Sequence, residues 1–163
     1  MSRALQPILF SYQPDQEAMW IDAVPFRAHL VHLLAAGLTE AVIARMSGLS
    51  TPAVRHLAHG RWGRPVRRVP IDTARRLLRI TTAEARAVRV RLVPVHPTRQ
   101  RLREMVAAGW TLAALADELA VSIRELEPAL GRGSSSCSQL LRLKVAAAYE
   151  RWDRSNPDQL AAA

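Results

Sequence analysis

The stretch TEAVIARMSGLSTPAVRHLAHG, Thr39 to Gly60, constrains this chain more than any other. Two short helices crossing at a sharp angle need small residues where they touch and a Gly where the turn takes a positive φ. Ala44 is the small residue and Gly48 sits in the turn, while Ile43, Leu49, Val54 and Leu57 fall where the packed faces must be apolar. Thr39 and Ser50 stand at the two cap positions, and Pro52 lies in the first turn of the second helix, where a missing N–H costs little. The spacing predicts a helix-turn-helix, whose second helix enters the DNA major groove. An ordinary amphipathic helix pair explains the apolar spacing but not the arginines that follow at once.

Those arginines are concentrated. The net charge is +9, and residues 39–92 carry twelve Arg against three acids, Glu40, Asp72 and Glu84. Residues 97–163 are close to balance. Such asymmetry is the footprint of a nucleic acid on one half of a chain. An RNA or another polyanion would attract the same charge. No apolar run reaches the ~20 residues of a membrane span. The N-terminus, MSRALQPILFSYQPDQE, lacks the order of a secretory signal. A cytoplasmic, nucleoid-associated protein is expected. A single Cys, Cys137, excludes an internal disulfide and a cysteine-built zinc site; it sits in GRGSSSCSQ, which reads as a loop.

The elements follow from caps and breakers. Residues 1–23 read as a flexible arm, with Trp20 and Ile21 docking on the core. Pro25 opens a helix to Ala36 and Gly37 ends it. GRWGRPVRRVP, residues 60–70, reads as a basic loop; Asp72 is expected to cap the next helix, and Thr81 with Glu84 opens another. VPVHPT, residues 93–98, reads as a linker. The pattern then recurs. Residues 26–57 align with 98–129 at an offset of 72: Ala35-Ala36-Gly37 with Ala107-Ala108-Gly109, Thr39 with Thr111, Ala44 with Ala116, Ser50 with Ser122. Extended downstream, the same offset pairs Val69, Ile71, Ala74 and Leu77 with Leu141, Leu143, Ala146 and Tyr149. The expected fold is all-α: two tandem helix-turn-helix units with connecting helices, over 24–92 and 99–154, and a tail over 155–163.

The second copy is degenerate. Ala120 replaces the turn Gly, Pro128 interrupts the second helix, and Glu127 would face phosphate repulsion. Glu125 has a structural reason, a capping box on Ser122. Residues 99–154 therefore either read DNA weakly, through Ser122, Arg124 and Arg132, or meet a protein partner or a second copy.

In the first copy, Ser50, Thr51, Arg55, His56 and His59 occupy the positions that reach base edges. Arg55 can fork onto guanine O6 and N7. Thr39, Arg61, Arg64, Arg67 and Arg68 are candidates for the DNA backbone or minor groove. Gly63-Arg64-Pro65 resembles the Gly-Arg-Pro core of an AT-hook, an extended element that lays Arg in a narrow minor groove, although Trp62 stands where that motif has Arg. The five His match no zinc motif, and no phosphate-binding Gly loop, paired-carboxylate set or Ser nucleophile motif appears, so no catalytic residue, metal, cofactor or small-molecule ligand is expected.

RAHLVHLLAAGLT, GRWGRPVRR, TARRLLRIT, TRQRLREMVAAGWT and VAAAYERWD together resemble the small double helix-turn-helix, phage-repressor-like regulators of actinobacteria and their phages, over about residues 24–155. The resemblance implies a sequence-specific transcriptional regulator acting on double-stranded DNA, with Thr51, Arg55 and His56 as readers. The chain departs from it in the Glu-rich second copy and in Trp62. Two other classes remain open at this level: a protein-interaction adaptor of the transcription machinery, and an A·T-preferring architectural protein of the nucleoid.

Overall fold

The computed structural model describes residues 19–131 and 133–155, and it is all-α. Its elements run β1 (Trp20–Asp22), α1 (Val24–Ala35), α2 (Glu40–Ser47), α3 (Thr51–His59), β2 (Arg68–Pro70), α4 (Ile71–Leu78), α5 (Thr82–Val90), β3 (Leu92–Pro94), α6 (His96–Ala107), α7 (Leu112–Leu119), α8 (Ile123–Leu130), β4 (Ser136–Ser138) and α9 (Gln139–Ser155). The strands pair antiparallel in twos, β1 with β2 and β3 with β4.

Caps and turns set the helix boundaries. Thr39 Oγ1 accepts from the Val42 N–H at 3.3 Å, and Ser50 Oγ from the Ala53 N–H at 3.3 Å. Gly48, at φ 69°, ends α2 in the left-handed region. In the second copy Thr111 caps α7, and Glu125 Oε2 accepts from the Ser122 N–H at 3.0 Å in a capping box. Ala120 adopts the left-handed turn that Gly48 makes freely, at φ 47°. Pro128 lies inside α8, which stops two residues later.

The two copies keep the 72-residue offset only through these helix pairs. Beyond them it falls to 68. Arg76 on α4 donates to the Gly48 carbonyl at 3.1 Å, and Lys144 on α9 donates to the Ala120 carbonyl at 2.8 Å, the same bond in each copy. The downstream pairing of Val69 and Leu77 with Leu141 and Tyr149 is thereby corrected: their counterparts are Cys137 and Val145. The loop before the strand is eight residues long in the first copy (60–67) and five in the second (131–135).

Other expectations change with this register. Cys137 is buried at the centre of β4, with Sγ 3.7 Å from Thr98 Oγ1, because a strand and not a loop holds it. The expected linker over 93–98 is ordered: Val93 and Pro94 belong to β3, Val95 and Thr98 are buried, and α6 starts at His96. Residues 68–70 are strand. Asp72 does not cap α4; it lies in the helix's first turn, behind Pro70. Of the arm, residues 1–18 lie outside the described residues, as does the tail from 156. Ile21 docks on the first core as expected, whereas Trp20 is largely exposed.

Each copy has its own core. Leu30, Leu33, Ile43, Leu77 and Ile80 lie at the centre of one, and Leu102, Met105, Leu115, Leu119 and Leu126 at the centre of the other. The long α9 joins them. Leu140 and Leu143 pack on the first core, while Leu141, Val145 and Ala148 belong to the second. Arg45 on α2 pairs with Glu150 on α9, and Arg151 on α9 pairs with Glu118 on α7 at 2.6 Å. Partly exposed pairs contribute up to ~1 kcal/mol each. A fully buried aliphatic side chain contributes ~1.5–3 kcal/mol, so apolar contact dominates this junction.

Tyr149 also anchors α9. Its hydroxyl donates to Glu104 Oε2 at 2.5 Å, and its ring meets Trp152 edge-on, centroids 5.4 Å apart. The bond to Glu104, with a lesser contribution from burial, pushes the phenol up from 10.0 to about 12. A raised phenol pKa means that the bond stabilises the fold fully below pH 10.0 and is lost as pH rises towards about 12. Tyr149→Phe is expected to lower the melting temperature at pH 7, with the gap from wild type narrowing across that alkaline window; thermal melts at several pH values check this.

Candidate nucleic-acid interface

Helix α3 divides cleanly. Val54 and Leu57 point into the first core, and Ser50, Arg55, His56 and His59 are exposed, with Thr51 half-buried beside them. Two of the exposed side chains share one acid. Arg55 Nε donates to Glu40 Oε2 at 2.9 Å, and His59 Nε2 lies 2.7 Å from Glu40 Oε1. Arg55 and His59 sit one turn apart on the same helix face, so a single carboxylate at the start of α2 reaches both. Burial raises the Glu40 pKa, but the hydrogen bonds and charges of Arg55 and His59 outweigh it and hold the carboxyl below its ordinary range. Arg55 uses Nε on Glu40, and its two terminal guanidinium nitrogens keep the geometry of a two-donor fork. The sequence analysis did not foresee Glu40 in this role. It sits fifteen residues from Arg55, and only the crossing of α2 and α3 brings them together.

After α3 the chain turns back on itself. Arg61 and Arg64 exchange both backbone hydrogen bonds, at 2.9 and 3.0 Å. Between them Trp62 has φ 55° and Gly63 φ 73°. Two central residues at positive φ define a tight type I′ hairpin turn. Gly60, at φ 84°, is required just before it, since a Cβ there would lie 2.4 Å from the Arg64 carbonyl oxygen. The Gly63-Arg64-Pro65 triplet therefore begins inside a turn and is not an extended ribbon at Gly63. Arg61, Arg64, Arg67 and Arg68 are all exposed. Among the described residues, none of these four guanidiniums has a hydrogen bond or ion pair. Thr39 has its hydroxyl oxygen engaged in capping α2 and lines a recess with Glu40, Thr51 and Arg55.

Two clefts flank the region. One, of about 640 Å³, opens between the start of α3 and the end of α9, and places Arg45, Arg151 and Arg154 near Ser50, Thr51 and Arg55. The other, of about 510 Å³, is lined by Trp20, Val24, Pro65 and Val66, with Arg27, Arg67 and Arg68 and the acid Asp22. Arg45, Arg151, Arg154 and Arg27 were not among the candidates read from the sequence, and Trp20 was expected on the core. Their proximity depends on where α9 and β1 pack, which no local spacing encodes.

The second copy presents a different surface. Ser122 and Arg124 are exposed on α8, but so are Glu125 and Glu127, and Ser122 is engaged by Glu125. Its neighbouring arginines serve the fold: Arg99 donates to the Ala129 carbonyl at 2.9 Å and the Ser134 carbonyl at 2.5 Å, and Arg103 to the Leu130 carbonyl at 3.3 Å. These bonds satisfy carbonyls at and beyond the α8 C-terminus. Arg132 lies outside the described residues. Among the described residues no cluster of His, Cys, Asp and Glu could hold a metal, and no single helix is long and apolar enough to cross a membrane. Comparison with family models, with curated proteins and with solved structures finds no match to this chain.

Glu40→Gln should remove the clamp on Arg55 and His59 and an acid from the α2 N-terminus, costing about 1 kcal/mol in urea unfolding near neutral pH. Because the Glu40 pKa is lowered in the fold, this contribution is whole above the ordinary carboxyl value of 4.5 and fades as pH falls below it; unfolding curves at acid and neutral pH measure the difference.

Proposed function

We propose that this chain is a sequence-specific regulator of transcription that binds double-stranded DNA, and that α2 and α3 act as a helix-turn-helix. In this reading α3 enters the major groove with Ser50, Thr51, Arg55, His56 and His59 towards the bases, and the loop over 61–68 grips the adjacent backbone or minor groove. The observation that carries it is the set of four exposed guanidiniums, Arg61, Arg64, Arg67 and Arg68, directly beyond the exposed face of α3 and without partners among the described residues. A duplex laid against them would gain phosphate contacts and release its counterions. Glu40 then acts as a positioning residue that presents the Arg55 fork. Such a protein works at the nucleoid.

The acid on α8 favours a different task for the second copy. Glu125 and Glu127 oppose phosphate, so residues 99–154 suit a protein partner or self-association better than a second DNA half-site.

Selection of bound sequences from a random DNA pool tests the reading, and a defined enriched motif is the expected result; no enrichment would shift the weight to the adaptor or architectural classes. Within an enriched site, Arg55→Ala is expected to relax preference at one or two base pairs and cost ~1–3 kcal/mol there. Arg67→Ala should instead weaken binding to all sequences alike and reduce the slope of log affinity against log salt by about one; titrations at several salt concentrations separate the two behaviours.

A further inference from the structure

Trp62 is held where an apolar side chain is least at home. It is 88% exposed, the most exposed large hydrophobic side chain among the described residues, and its backbone lies at φ 55°, a region that disfavours every residue with a Cβ. Gly or Asn would occupy this turn position with less strain and no exposed apolar surface. The hairpin beneath it is fixed by the paired backbone bonds of Arg61 and Arg64 and by the close approach at Gly60, so the indole projects from a stiff tip. The second copy, with its shorter loop, carries no aromatic residue there. Two local disadvantages at one residue point to a partner that compensates them.

The surroundings specify the chemistry of that partner. Arg61 and Arg64 flank the indole within the turn, and Arg67 and Arg68 follow, all without partners among the described residues. The complementary surface is a flat apolar slot bordered on both sides by anions. A base-pair step between two phosphate backbones has this form.

We propose that Trp62 is a wedge that inserts between adjacent base pairs of duplex DNA from the minor groove, unstacking and unwinding the step while the flanking arginines hold the phosphates. The proposal rests on the DNA-binding reading above and adds a deformation of the DNA to it. Specificity then arises partly at a flexible step that α3 never touches, because pyrimidine–purine steps unstack most readily.

The test uses the full chain, a relaxed plasmid with topoisomerase, and a short mixed-sequence duplex. Wild type is expected to bind the duplex and to leave the plasmid with an altered linking number. Trp62→Gly, which relieves the backbone strain and should fold at least as well, is expected to lose the linking-number change and to bind roughly tenfold more weakly. Trp62→Phe keeps an aromatic plate and should retain most of both. If Trp62→Gly changes the linking number as much as wild type, the wedge is wrong while DNA binding stands. If wild type does not bind the duplex at all, the DNA-binding reading itself fails and the wedge with it; binding to a protein surface through the same tryptophan would then be the alternative.

Discussion

Everything in this molecule depends on α9 having two apolar faces. Leu140 and Leu143 complete the first core, and Leu141, Val145 and Ala148 complete the second. Each copy is small for an independent hydrophobic core, and small domains bury a low fraction of their surface. Sharing one helix lets both cores close, each on its own face of α9. It also ties α2 and α7 to the same helix, through Arg45–Glu150 and Arg151–Glu118.

The copies have diverged in how they use charge. In the second, Arg99 and Arg103 are directed inward to backbone carbonyls and Lys144 is buried on the Ala120 carbonyl. In the first, Arg76 and Arg89 bond the Gly48 and Ala36 carbonyls, but the hairpin arginines have no such duty. Net charge alone does not distinguish these roles. A guanidinium bound to a helix end is a structural part, and one left in water is available to an anion. The candidate interface is defined by that distinction more than by the number of arginines.

The all-α class was legible from caps and periodicity. Thr39, Ser50, Thr111 and Ser122 mark their helix starts through local bonds to nearby backbone, and Gly48 marks its turn, so local sequence is sufficient. What depends on non-local packing was not legible. The β1–β2 and β3–β4 pairs involve only three residues each and join segments far apart in sequence, so Cys137 and residues 93–94 read as loop and linker. The change of offset from 72 to 68 hid the equivalence of Arg76 and Lys144, since their shared task is visible only as a bond to a turn carbonyl. At the candidate site, Arg55, His59 and the hairpin arginines were readable as exposed basic positions. Glu40 was not, because its role follows from a helix crossing. Nor was the type I′ turn, which places a Trp where the sequence suggested an extended Gly-Arg-Pro element.

The strand pairs have one more consequence. In each copy the strand that precedes the first helix lies beside the strand that follows the third, Ile21 against Val69 and Val93 against Cys137. Entry and exit of the unit are neighbours in space. A unit whose ends meet can be copied in tandem within a gene without rerouting the chain, since the duplicate leaves from where the original began. The two-stranded clasp thus brings the ends of each three-helix unit together, an arrangement that lets one such unit follow another along a chain.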